Sequence, residues 1–166
     1  MPSELTTHDV KIPGIDELSV SIGVPATWAT RELDEPPSFL AHMPSEDAGP
    51  FGDNLVVGIE RLGPGAPEDL EELQGLFYAQ AFANVPDFHA IDDRPLEVAG
   101  VEGWLRVSLQ TAPPGITAVN RQVFTRRGDL LVTISLTTMA LRDREVDGLF
   151  QNILDSCTVV TTEGDA

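Results

Sequence analysis

The residue types that most often carry catalysis are few and widely separated in this sequence. Its histidines are His8, His42 and His89, and its one cysteine is Cys157. A Ser-His-Asp or Cys-His site needs a histidine beside a nucleophile, and no local spacing here provides one. Residues 19–23 (Ser-Val-Ser-Ile-Gly) lack the first glycine of a nucleophile elbow. A lone cysteine after an apolar helix face is typical of a buried core residue. The sequence therefore predicts that the protein is not an enzyme.

Phosphate-binding and metal-binding patterns are equally weak. Residues 63–65 (Gly-Pro-Gly) precede a predicted helix, but they lack the third glycine of a dinucleotide fingerprint and the lysine of a P-loop. His89, Asp92 and Asp93 lie close together in the sequence and could hold a divalent cation weakly. Pairing of a carboxylate with the neighbouring Arg94 is the simpler interpretation of that cluster. The sequence accordingly predicts no cofactor and no metal.

Composition and charge limit the classes of partner. Among 166 residues, 27 are acidic and 10 are basic, which gives a net charge of −17. Such a surface repels phosphate backbones and anionic lipid, so we expect neither nucleic acid nor a membrane as a partner. Residues 1–9 have neither the basic nor the apolar region of a signal peptide, which predicts a cytoplasmic protein. The length suits a single domain, predicted over residues 9–160, with flexible termini at 1–8 and 161–166.

Apolar residues alternate with polar ones along several segments, as they do in half-buried strands. The predicted strands cover residues 18–24, 39–43, 55–59, 96–98, 105–109, 118–125 and 130–136. A helix with a broad apolar stripe is predicted between Pro67 and Pro86, and an amphipathic helix begins near Asp143. Hairpin-length connections in the second half favour antiparallel pairing. The expected fold class is α+β, with an antiparallel β-sheet flanked by two main helices.

The order of several local motifs resembles the PsbP-like α/β/α sandwich, and within it the bacterial branch of LpqN-like and DcrB-like proteins. The motifs lie at residues 24–28 (VPATW), 51–57 (FGDNLVV), 98–104 (VAGVEGW), 122–135 and 150–156 (FQNILDS). The sequence lacks the leader and the lipidation cysteine of the lipoproteins in that branch, so the resemblance implies no membrane anchor. It implies binding to other proteins, as in assembly factors, small-GTPase partners and cytosolic chaperones of secreted effectors. It implies no catalytic residue.

One sheet face is predicted to be rich in serine and threonine, and it is the candidate functional surface. Its members alternate with the apolar residues of three neighbouring strands. Tryptophan and arginine are favoured anchors where such a face is exposed to a partner, although a helix could instead cover it. The candidate binding residues are Trp104, Arg106, Ser108, Asn120, Gln122, Thr133, Ser135 and Thr137.

These observations favour a non-enzymatic module that binds another protein, one with a basic or apolar segment, through its sheet face or an exposed edge. A secretion-linked chaperone or adaptor is the specific form that the resemblance suggests. Two alternatives stay open. One is a small-ligand carrier or enzyme with a pocket between sheet and helix. The other is a self-associating structural protein, such as a homodimer that pairs edge strands.

Overall fold

The computed structural model describes residues 4–35, 37–113 and 115–161. Within these ranges the chain forms strands and helices whose bounds are as follows. They are β1 (Leu5–Val10), β2 (Leu18–Pro25), β3 (Ala29–Glu32), β4 (Phe39–His42), α1 (Ser45–Ala48), β5 (Asn54–Arg61), α2 (Leu70–Asn84), β6 (His89–Val98), β7 (Val101–Ala112), β8 (Ile116–Arg127), β9 (Leu130–Met139), α3 (Asp143–Ser156) and β10 (Thr158–Thr161). None of these helices is long and apolar enough to cross a membrane.

The strands form two antiparallel sheets. The larger has seven strands in the order β3-β4-β5-β9-β8-β7-β6, and the smaller has the order β1-β2-β10. Every neighbouring pair is antiparallel, as the hairpin-length connections predict. The expected α+β class is therefore confirmed.

The main hydrophobic core lies between the two sheets and beneath α3. Alternate residues of β5 and β9, such as Val57 and Ile134, meet β2 residues such as Ile22. Phe150 and Ile153 of α3 close the same core. The regular alternation of β9 and the helical spacing of α3 dictate this packing, because each leaves one apolar face to bury.

Helix α2 packs on the opposite face of the large sheet, so the two main helices flank it. The Asp69 side chain caps α2 by accepting a hydrogen bond from the Glu71 amide (3.1 Å). Leu70 and Leu73 at the start of α2 pack against Phe124 and Leu131 of the sheet. The second half of α2 buries far less surface, which leaves part of the sheet face uncovered.

The N-terminal strand differs from the sequence expectation. Residues 5–8, predicted as part of a flexible terminus, instead form most of β1, and β1 pairs with β2 from Leu5 opposite Pro25 to Val10 opposite Val20. The segment is polar and weakly periodic, so its strand conformation comes from the edge of β2 and not from its own pattern. Thr161, predicted to begin the flexible C-terminus, instead ends β10 and lies opposite Leu18 in β2. The other predicted flexible residues 1–3 and 162–166 lie outside the described residues, and the limits of the domain stay a prediction.

Strand β6 is longer than the short segment 96–98 that the pattern indicates. It forms one edge of the large sheet over ten residues, with a bulge between Ala90 and Asp92 and with Pro95 in its interior. Proline is tolerated there because an edge strand can leave one side of its backbone unpaired. The bulge, the proline and the charged side chains also oppose pairing of this edge with another strand.

Candidate functional site: a groove on the face of the large sheet

The eight candidate residues do share one sheet face, in neighbouring strands. Arg106 lies opposite Gln122, and Gln122 lies opposite Ser135. One register step away, Ser108, Asn120 and Thr137 form a second row, and Trp104, Phe124 and Thr133 form a third. The alternation of β7, β8 and β9 therefore brings these side chains together, although α2 divides them into a covered group and an open group.

Arg106 belongs to the covered group. Its side chain is 2% exposed, and its Nη2 donates to the backbone oxygen (3.0 Å) and to Oε1 (2.5 Å) of Gln74 in α2. The guanidinium also lies over the rings of Tyr78 (5.1 Å) and Phe124 (5.7 Å). Of the two possibilities that the sequence left open for this face, the structure gives Arg106 the covered one, because α2 lies directly above it.

Trp104 and Arg106 share one carboxylate, that of Asp93. The Trp104 Nε1 donates to Asp93 Oδ1, and Arg106 Nε lies 3.5 Å from Asp93 Oδ2. Burial lowers the pKa of the Arg106 guanidinium, and the charge of Asp93 opposes that shift. Asp92 points to the other sheet face and pairs with Arg94 (3.0 Å). The neighbouring carboxylates that could suggest a metal site therefore have separate partners on separate faces.

The open group lines a trough beside α2, called here the sheet groove. A cavity of about 480 Å³ lies against the second half of α2, and an adjoining cavity of about 400 Å³ extends over β5. Glu60, Gln122, Thr133 and Ser135 border both cavities. Asn120 and Ser108 border the first cavity only, and Ser108 is itself only 2% exposed. Trp104, Arg106 and Thr137 do not border either one.

The groove offers neutral hydrogen-bonding groups beside an aromatic wall. Asn120 Nδ2 donates to Ser135 Oγ (2.7 Å) and to Thr137 Oγ1 (2.8 Å), which fixes its amide in the floor. Phe77 of α2 packs on Phe124 with ring centroids 5.2 Å apart, and Glu60 is the one charged side chain among the described lining residues. Such a lining can hold a ligand by shape, dispersion and neutral hydrogen bonds.

Gly58 is the part of the floor that sequence reasoning missed. It lies opposite Thr133 in the middle of β5 and borders the cavity over that strand. A methyl group added at Gly58 would meet no atom within 4 Å, so the missing side chain leaves open space above the sheet. The signal was present in the sequence, because a glycine inside a strand often marks close approach of another chain or ligand.

Cys157 is buried beside the core and away from the groove. Burial raises the pKa of its thiol to about 11, and the nearby Arg127 opposes this only in part.

We expect iodoacetamide at pH 8 to leave Cys157 unmodified in the folded protein and to alkylate it fully in urea, as measured by intact mass. The neutral thiol stabilises the fold fully below pH 9.0, and this contribution is lost as the pH rises towards 11. Rapid alkylation without urea would contradict the burial.

Comparison with known proteins identifies the fold but no close relative. No protein-family model matches the sequence, and no curated protein matches it significantly. LpqN of Mycobacterium tuberculosis superposes with a TM-score of 0.68 at 13% identity, covering 95% of this chain and 92% of LpqN. The cyanobacterial PsbP protein of Synechocystis sp. PCC 6803 gives 0.64 at 16% identity, with coverages of 89% and 95%.

A third neighbour comes from yeast. The Saccharomyces cerevisiae Ran-binding protein Mog1p gives a TM-score of 0.61 at 14% identity, covering 96% of this chain and 98% of Mog1p. All three alignments span nearly the whole of both chains, so the shared architecture includes both sheets and both main helices. The chain therefore has the PsbP-like fold.

Proposed function

We propose that this chain is a non-enzymatic protein-binding module whose sheet groove holds a segment of a partner protein. The observation that carries the proposal is the uncovered part of the sheet face, where Gly58 leaves open space in the cavity over β5 and Phe77 and Phe124 line the adjoining cavity. One structural neighbour agrees with a binding role, since the yeast protein Mog1p is a Ran-binding protein.

The partner segment that suits this surface is apolar and carries a basic residue. The lining is mostly neutral, its one charge is that of Glu60, and the protein as a whole carries −17. Helix α2 also exposes two large apolar side chains outside the groove, Leu76 (51% exposed) and Phe82 (70% exposed). A chaperone or adaptor for a secreted protein would use such a surface to shield the apolar part of its client.

The experiment begins with affinity purification of the tagged protein from its native cells at low salt, followed by mass spectrometry. The Kd of the identified partner is then measured for the wild type and for Gly58→Val. We expect the valine to weaken binding at least tenfold, about 1.4 kcal/mol, because it fills the groove floor while suiting a strand.

The matched control is Gly63→Val, which also places its side chain where no atom lies within 4 Å but does so outside the groove. It should bind like the wild type, and both variants should keep the wild-type Tm. An unchanged Kd for a well-folded Gly58→Val protein would refute the groove as the binding surface.

A small-ligand carrier is the second candidate, favoured by the roughly 480 Å³ cavity between sheet and helix. That volume is within the range of small-molecule clefts, about 300–1,000 Å³. Native mass spectrometry of the protein purified from its own cells separates the two proposals. A small molecule that stays bound to the purified protein, with no partner protein present, would favour the carrier over the protein-binding module.

A further inference from the structure

Helix α2 has an apolar face that points away from the sheet and lies outside the sheet groove, called here the outward face. Its members are all exposed, and they are Gly75, Leu76, Ala79, Phe82 and Ala83. Leu76 is 51% exposed and Phe82 is 70% exposed. A helix that is apolar on most sides is normally buried on most sides, whereas the sheet covers only one side of α2. A covering surface for the outward face must therefore come from another molecule.

The charge distribution favours a second copy of this chain as that molecule. Residues 73–86 carry no charge, although the protein carries −17 in total. Identical copies repel each other through their acidic surfaces. Two copies that meet through this uncharged part of α2 place no carboxylates against each other at the contact. A basic molecule, in contrast, would find no carboxylate to pair with along this part of the helix.

The outward face is also complementary in shape to itself. With about 3.6 residues per turn, Gly75 and Phe82 lie to one side of Ala79 on the helix surface. Leu76 and Ala83 lie to its other side. An antiparallel two-fold crossing at Ala79 therefore places Phe82 of each copy against Gly75 of the other, where an added methyl group would meet no atom within 4 Å. It likewise places Leu76 against Ala83, so each large side chain meets a small residue.

The antiparallel arrangement also separates the charges at the start of the two helices. Glu72 precedes Ala79 by about two turns, which is about 10 Å along the helix axis. The Glu72 carboxylates of the two copies then lie on opposite sides of the crossing, about 20 Å apart, whereas the Debye length is about 10 Å at 0.1 M salt. A parallel arrangement would bring these carboxylates together, so the charges favour the antiparallel one.

We propose that a second copy of this chain packs on the outward face of α2 and that the two copies form an antiparallel, two-fold symmetric dimer. The same patch is used on both copies, so the assembly closes at two. Phe77 and Ala81, which line the sheet groove, lie on the opposite side of the helix. The dimer contact therefore does not use the lining of the sheet groove and is independent of what the groove binds.

The test is sedimentation equilibrium of the purified intact protein over a range of concentrations. We expect a reversible equilibrium between monomer and dimer. The dimer fraction should rise as NaCl is raised from about 0.05 M to about 0.5 M, because salt screens the repulsion between acidic copies. Binding of a basic partner would have the opposite salt dependence. A protein that stays monomeric at submillimolar concentration in both salts would overturn the proposal.

Two variants of the outward face locate the contact. Gly75→Leu fills the space that Phe82 of the other copy needs and suits a helix better than glycine. Leu76→Glu introduces a charge into the contact. We expect each change to raise the dissociation constant of the dimer at least about tenfold.

The matched control is Ile91→Glu in β6, because the Ile91 side chain is 56% exposed and lies away from α2. It adds the same charge and should dimerise like the wild type. Gly58→Val should also dimerise like the wild type, so the result does not depend on the sheet groove. Wild-type dimerisation of Leu76→Glu, or an equal loss in Ile91→Glu, would refute the outward face as the contact.

Discussion

Replacing Arg106 with alanine is expected to lower the free energy of unfolding by about 3 kcal/mol. Breaking a buried charge pair typically costs about 3–5 kcal/mol, and partial exposure of Asp93 places the effect at the lower end. The change also removes both hydrogen bonds to Gln74 and the packing over Tyr78. Because these contacts join α2 to the sheet, urea unfolding followed by circular dichroism should show an earlier transition.

The neighbouring arginine provides a matched control. Arg94 pairs with Asp92 at 3.0 Å, but both side chains are largely exposed, so Arg94→Ala should change stability by less than about 1 kcal/mol. Similar losses for the two variants would contradict the structural role of Arg106. If Arg106→Ala loses a binding partner, the loss can come from destabilisation and does not locate the binding surface. Loss of the partner in the well-folded Gly58→Val protein does locate it.

Regular alternation made most of the large sheet predictable from the sequence. In β9 every second residue from Leu130 to Leu136 is buried in the main core, because hairpin connections fix its register with β8. The same period placed Gln122 and Ser135 together on the other face. Helix α3 was equally clear, since Val146, Phe150 and Ile153 repeat at helical spacing and are buried.

Which side chains of the large sheet are covered by a helix could not be predicted, because this depends on contacts between segments that are distant in the sequence. Helix α2 is apolar on most sides, so its sequence did not indicate which residues it would bury or that Gln74 would meet Arg106. Gly58 leaves the alternation of buried residues in β5 unchanged, so the sequence pattern does not reveal the empty space that the structure shows above it. Sequence reasoning found the candidate face but could not divide it into a covered half and an open half.

Replacing Asp53 with alanine is the other change from which we expect a large effect, a loss of about 3 kcal/mol in the free energy of unfolding. Asp53 is 4% exposed, and its Oδ1 accepts hydrogen bonds from Thr138 Oγ1 (2.6 Å) and from Arg142 Nη2 (2.7 Å). Alanine would leave the cation and the buried hydroxyl without their acceptor. Asp53→Asn keeps a neutral acceptor and should lose about half as much.

The contacts around Asp53 join two distant parts of the chain. Arg142 also donates to the Phe51 backbone oxygen (3.0 Å), so one guanidinium joins the start of β5 to the turn that leads into α3. Asp47→Ala, at an exposed position in α1, is the control and should change stability by less than about 0.5 kcal/mol. If urea unfolding gave equal midpoints for Asp53→Ala and Asp47→Ala, the hydrogen bonds of Asp53 would not contribute to the stability of the fold. A large loss for Asp53→Ala alone would show that the contacts of Asp53 with Thr138 and Arg142 stabilise the fold.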